Sequence, residues 1–211
     1  MKAQELPVIY HEKAKTLWIL DSGHGFDTPG KRSPIWDDCT QLMEWKFNRQ
    51  MTELIYTIGR EYGLKMHILV QEDYDVSLRE RVARQKAIKN NSQQPCILIS
   101  NHANAAGAES ASGIEVFTSV GQTASDSFAE IVLNELFRSL NTRKRRTDQS
   151  DGDLDKEAQF YILRNTSCPA ILIEYGFMTN EEECRLLFTT KFQETAAMAV
   201  VNAMLIHENI N

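Results

Sequence analysis

The stretch that most constrains this chain is Leu17-Trp-Ile-Leu-Asp-Ser-Gly-His-Gly25. A short apolar run reads as a buried strand, and it stops at a histidine set between two glycines. Gly23 and Gly25 are expected to let the backbone turn sharply at the strand's carboxyl end. His24 then lies in the crevice outside the strand ends, where open α/β sheets bind their ligands. A lone histidine there is more often a hydrogen-bonded loop residue than a ligand. Its meaning therefore depends on what other strand ends supply.

Further along, Cys96-Ile-Leu-Ile-Ser100 is a second continuous apolar run. It leads into Ser100-Asn-His-Ala-Asn-Ala105, read as a polar turn carrying His102. Ala170-Ile-Leu-Ile-Glu-Tyr175 is a third, with Glu174 near its end, where a buried carboxylate needs a partner or a chemical role. Lys65–Val70, Gly113–Thr118 and Phe160–Leu163 are weaker strand candidates, and His67 is expected to be half-buried and structural. Between them lie helical patterns. From Gln41, residues Met43, Phe47, Met51, Leu54, Ile55 and Ile58 share one face, with Gly63 as a stop signal. Glu44 sits in that helix's first turn. Complementing the helix dipole explains it alone, but the same position directs a carboxylate towards the strand ends.

Ser77-Leu-Arg-Glu80 opens another helix with a capping-box pattern. Leu78, Val82 and Ile88 are expected inside it, and Arg79, Arg81 and Arg84 outside. A stripe of Phe128, Ile131, Val132, Leu136 and Leu140 marks a helix over 124–140, and the segment from Glu181 to His207 is helical. The alternation of strands and helices predicts a single α/β domain over 1–211. It is a three-layer sandwich with a mostly parallel twisted sheet of about six strands. Residues 1–15 form a polar amino-terminal arm. The stretch from Asn141 to Glu157 runs from basic Arg143–Arg146 to acidic Asp151, Asp153 and Asp155, and reads as a solvated loop over the site.

A net charge of −6 and a pI near 5.4 argue against a nucleic-acid partner. No apolar run is long enough for membrane insertion, and Glu5 and Pro7 interrupt any signal-peptide core, so synthesis in the cytoplasm is expected. The four cysteines, Cys39, Cys96, Cys168 and Cys184, form no close pair and are expected to be free and mostly buried.

Together, His24, Glu44, His102 and Glu174 meet at one sheet edge. Two histidines and a carboxylate can hold a catalytic Zn2+ with a fourth position open to water, leaving Glu174 as general base. Amide hydrolysis is the chemistry that follows.

These residues sit in Ile19–Gly25, Glu44-Trp-Lys-Phe-Asn48, Ser77-Leu-x-x-Arg81, Ile99–Asn104 and Pro169–Asn180. In that order the motifs resemble the zinc-dependent N-acetylmuramoyl-L-alanine amidases of the Amidase_3 type, from about Leu17 to His207. The resemblance implies one Zn2+ on His24, Glu44 and His102, with Glu174 as the catalytic glutamate. It implies cleavage of the amide between the lactyl group of N-acetylmuramic acid and L-alanine in peptidoglycan, with Glu174 passing a water proton to the leaving amine. Asn104 either hydrogen-bonds substrate or caps its turn. The chain departs from the family at Ser22, where proline is usual, and at Val70-Gln71, where a Thr-Arg pair is usual. The Thr28–Pro34 loop resembles phage-associated, endolysin-like members, which implies wall lysis after release from the cell. A zinc peptidase cutting another wall amide and a non-catalytic wall-binding homologue are the alternatives. The sequence sets no oligomeric state.

Overall fold

A computed structural model describes residues 10–140, 146–148, 152 and 154–210. Residues 1–9 of the arm, and Arg143, Asp151 and Asp153 of the polar stretch, lie outside the described residues. In chain order the elements are β1 (Leu17–Ser22), α1 (Glu44–Glu61), β2 (Lys65–Ile68), α2 (Leu78–Asn91), β3 (Cys96–Asn104) and β4 (Glu115–Thr118). They continue as α3 (Asp126–Leu140), β5 (Lys156–Glu157), α4 (Tyr161–Asn165), β6 (Ala170–Phe177), α5 (Glu181–Leu187) and α6 (Thr190–His207).

The strands form one six-stranded sheet in the order β2-β1-β3-β6-β4-β5. Pairing is parallel throughout except between β6 and β4. The three central strands are apolar on both faces, as expected when helices cover both sides. Alternate residues go to opposite layers. Trp18, Leu20, Ile97, Ile99, Ile171 and Ile173 pack with Phe47 and Met51 of α1, Phe128 and Val132 of α3, and Ala196 and Val200 of α6. Ile19, Leu98 and Leu172 face the other way, onto Val82 of α2 and Ile162 and Leu163 of α4. This is the three-layer sandwich that the sequence predicts.

The period-two rule also decides where the polar ends point. Asp21, Ser100, His102 and Glu174 continue the rows of Ile19, Leu98 and Leu172, so they belong to the α2–α4 face. Ser22, Asn101 and Tyr175 fall on the α1 face and close a buried network. There Ser22 Oγ and Asn101 Nδ2 donate to Thr52 Oγ1 at 3.0 and 2.9 Å, and Tyr175 OH donates to Asn101 Oδ1 at 2.8 Å. Ser22, where proline is usual in the resembled family, thus contributes a hydroxyl to strand–helix packing.

Several expectations need correction. Phe160–Leu163 is not a strand: Phe160 precedes a single helical turn, α4, which buries Ile162 and Leu163 while Phe160 lies edge-on to Phe117. Four apolar residues in a row do not distinguish a strand from a buried turn of helix. β3 continues through Asn104, so His102 stands on the strand and not in a turn. The carboxyl-terminal segment is two helices, split at Phe188 and capped at Thr189 by its hydroxyl. His67 is exposed on the edge strand β2.

The polar stretch is anchored at Arg146 and Asp155, while Asp148 and Gly152 are exposed. Arg146 Nε donates to buried Glu115 at 2.7 Å, and buried Asp155 accepts from Thr118 Oγ1 at 2.6 Å. The described part of the arm is tied down too, with Lys15 and Thr16 amides donating to Glu208. All four cysteines are free; Cys96 and Cys184 are buried and Cys39 is exposed. No helix among the described residues is long and apolar enough to cross a membrane.

Candidate metal centre

β1 ends at Ser22, and the turn that follows carries His24 at φ 61°, in the left-handed region. The strained residue is therefore the histidine, not its flanking glycines, at a cost of about 1–2 kcal/mol. The glycines serve close approach. A Cβ on Gly23 would lie 2.0 Å from His102 Cε1, and one on Gly25 would lie 2.0 Å from the Asp75 amide nitrogen. Asn48 Nδ2 donates to the Gly23 carbonyl at 3.0 Å, and Arg49 Nη1 to the His24 carbonyl at 2.9 Å, so α1 holds the turn. We expect Gly23→Ala to destabilise the fold by about 1–3 kcal/mol through overpacking and to displace His102. Denaturant unfolding paired with a metal titration checks this; a variant matching the native chain in both would contradict the packing.

Glu44 is the first residue of α1. Its backbone amide donates to the Lys31 carbonyl, which seats the preceding loop on the helix start. The side chain is 2% exposed. Its Oε1 stands 3.3 Å from His24 Nε2 and 3.0 Å from His102 Nδ1. The two imidazoles meet edge to face, with centroids 5.0 Å apart. One ligand atom from each of His24, Glu44 and His102 lies within 4.8 Å of the others, a spacing that suits a single cation.

Burial opposes ionisation of Glu44, yet hydrogen bonds from His102 and His24 outweigh it and hold the carboxyl well below the usual carboxylate range. Burial lowers His24, and its Glu44 contact does not fully restore it. For His102, burial acts in the same direction, but Glu44 and Glu174 turn the net shift upward.

Glu174 stands directly across the β3–β6 ladder from His102. Burial, with the nearby Glu44 charge adding to it, pushes its carboxyl up to about 8. Its Oε2 and the Oε2 of Glu44 are buried and accept no hydrogen bond from any described residue. Two carboxylate oxygens without donors, beside two imidazole nitrogens, are what a cation site presents when protein atoms alone are counted. All four residues expected at the sheet edge are thus together.

Asn104 ends β3. Its Nδ2 donates to Glu115 Oε2 at 2.5 Å and its Oδ1 accepts from the Ala105 amide, a capping arrangement. Glu115 faces Glu174 across the β4–β6 ladder and is neutralised by Arg146 at 2.7 Å and Lys156 at 2.9 Å.

Sequence reasoning missed two cations. Lys31 Nζ lies 4.0 Å from Glu44 Oε2 and shares with Leu78, Tyr161 and Ile162 a cavity of about 230 Å³ that opens onto His24 and Glu174. Arg81, expected in solvent, is 2% exposed, with Nη1 2.6 Å from Asp21 Oδ1. Leu78, expected inside, is 50% exposed at the cleft rim. The helix start meets the sheet edge through its polar partner, which a rule sending arginine outward does not anticipate. A buried Asp21 in an apolar strand was the available signal, since such a charge requires a counter-ion.

The family model for Amidase_3, described as N-acetylmuramoyl-L-alanine amidase, matches residues 19–205. The chain is 29% identical to the uncharacterized protein YqiI of Bacillus subtilis, over 91% of this chain and 84% of YqiI. It is 27% identical to the N-acetylmuramoyl-L-alanine amidase LytC of the same organism over 86% of this chain, and spans 33% of LytC's length. The solved structure of the N-acetylmuramoyl-L-alanine amidase AmiC2 of Nostoc punctiforme superimposes with a TM-score of 0.78 at 26% identity, covering 92% of this chain and 98% of that one. A match over most of the chain, together with the same architecture, shows that this protein belongs to the Amidase_3 family, the N-acetylmuramoyl-L-alanine amidases.

Proposed function

We propose that the chain is a zinc-dependent hydrolase of the amide joining the lactyl group of N-acetylmuramic acid to L-alanine in peptidoglycan. The observation that carries this reading is the convergence of His24 Nε2, Glu44 Oε1 and His102 Nδ1 beside an undonated Glu174 oxygen. His24, Glu44 and His102 would hold the metal. Zinc bound there supplies a water of lowered pKa, about 7, and polarises a carbonyl.

The chain's own groups do the rest. Glu174 accepts the proton of the attacking water. As the carbon–nitrogen bond breaks it returns that proton to the alanine nitrogen, leaving a lactyl carboxyl group, which still carries the water's second proton, and a free amine. Burial raises its proton affinity, which suits a group that must both take and release a proton near neutral pH. The cleft beside it, lined by Leu78, Tyr161 and Ile162, offers apolar surface to the substrate, and Lys31 adds a positive charge to the lining. We assign wall lysis as the setting, on the resemblance of the Thr28–Pro34 loop to phage-associated members.

A synthetic muramyl peptide tests the bond. The expected products are N-acetylmuramic acid and a peptide whose new amino terminus is L-alanine, detected by amine labelling. An intact lactyl–alanine bond with a cut elsewhere in the peptide would reassign the chain to a peptidase.

A further inference from the structure

The turn that carries His24 is clamped from below by a guanidinium that the metal reading does not use. Arg81 lies in the first turns of α2, and every acceptor it meets belongs to that turn or to the segment backing it. Nε donates to the Val76 carbonyl at 2.7 Å. Nη1 donates to Asp21 Oδ1 at 2.6 Å and to the Ser22 carbonyl. Nη2 reaches Asp75 Oδ1 at 3.2 Å and the His24 carbonyl at 3.4 Å.

The His24 carbonyl thus receives two guanidinium donors, because Arg49 Nη1 approaches it from α1 at 2.9 Å while its other nitrogens hold the Glu72 carbonyl. Asp21 extends the clamp sideways: its Oδ2 accepts from Ser100 Oγ at 2.6 Å. Ser100 is two residues before His102 on the same face of β3. One chain of hydrogen bonds therefore runs from the peptide of the first histidine, through Arg81, Asp21 and Ser100, to the strand of the second.

We infer that Arg81 is a positioning residue for the metal centre. It fixes the left-handed peptide at His24, and through Asp21 sets the spacing of the turn against β3. This rests on the reading of His24 and His102 as metal ligands. A left-handed non-glycine residue is held only by what surrounds it. Here the restraint falls on the peptide group that sets the direction of the imidazole. A planar fork is needed: five contacts diverge from one guanidinium, and a lysine ammonium cannot reach them together. Partners beyond the ligands that orient a metal-binding histidine typically change affinity about 10- to 100-fold when removed.

The test titrates zinc into the chelator-stripped full chain, native and Arg81→Lys, by calorimetry, and records the visible spectrum of each with cobalt. Circular dichroism checks the fold. The expected result is a folded Arg81→Lys chain that binds zinc about 10- to 100-fold more weakly, with a shifted cobalt band. A variant with lowered thermal stability but unchanged affinity and spectrum would overturn the proposal, since a purely structural role moves only the former. Should Arg81→Lys not fold, Arg49→Met, which removes the second donor to the His24 carbonyl, decides it. Weaker zinc binding and a shifted band support the clamp, and native values overturn it. A native chain that takes up no zinc would instead remove the metal reading beneath the proposal.

Discussion

Glu44→Gln is expected to weaken zinc binding by more than about 100-fold, beyond the range for loss of a supporting partner, and to abolish amidase activity with it. The substitution keeps the side chain's volume, so α1 and the Gly23–Asn48 contact should persist. What changes is charge. Glu44 is almost fully buried and remains ionised because two imidazoles face its Oε1. An amide there neither neutralises a dication nor offers both imidazoles a full carboxylate acceptor. His102, raised overall despite its burial, loses the hydrogen bond chiefly responsible and should titrate lower. Calorimetric titration of the stripped variant, with far-ultraviolet circular dichroism for the fold, measures the outcome. Native affinity would mean that Glu44 is not a ligand.

Glu174→Gln should separate binding from chemistry. Zinc affinity should stay within a few-fold of native, because the three proposed ligands are untouched, while turnover falls about 10²- to 10⁴-fold, the usual contribution of a positioned acid–base group. The same variant carries a stability signature in the metal-free chain. Burial raises the folded-state value of Glu174 from 4.5 to about 8, so the folded chain binds this proton more tightly than the unfolded chain. The native chain should therefore lose stability as pH rises from about 4.5 to about 8. Glutamine has no proton to lose, so that slope should flatten in the variant. Urea titrations in chelator across this window measure it. An identical slope in both chains would show that Glu174 is not held protonated by burial.

Much of this site was legible because a buried parallel strand is written as an unbroken apolar run, and its polar carboxyl end then stands out. Leu17–Asp21, Cys96–Ser100 and Ala170–Glu174 each mark a central strand, and their ends bring His24, His102 and Glu174 to one edge. Glu44 was less legible: an acid in a helix's first turn is explained by the dipole alone, and only the histidines and the motif resemblance gave it a further meaning.

What escaped depends on distant partners. Arg81 looks like a solvent-facing arginine until Asp21, sixty residues earlier, is placed beneath it. The strain at His24, rather than at Gly23 or Gly25, is set by Arg49 and Arg81 holding its carbonyl and by His102 and Asp75 crowding its neighbours. Phe160–Leu163 has strand-like composition, but the segment forms α4 and buries Ile162 and Leu163 against the sheet face. β4 runs against β6 because it follows β3, itself parallel to β6, with no intervening helix to carry the chain back, and no local pattern records this.

The measurement that bears most directly on the account is mass spectrometry of purified peptidoglycan digested by the native chain, by the chain stripped with chelator, and by the stripped chain resupplied with zinc. The account predicts free stem peptides beginning at L-alanine in the first digest, none in the second and their return in the third. Stem peptides released equally by the stripped chain would contradict a metal-dependent centre at His24, Glu44 and His102.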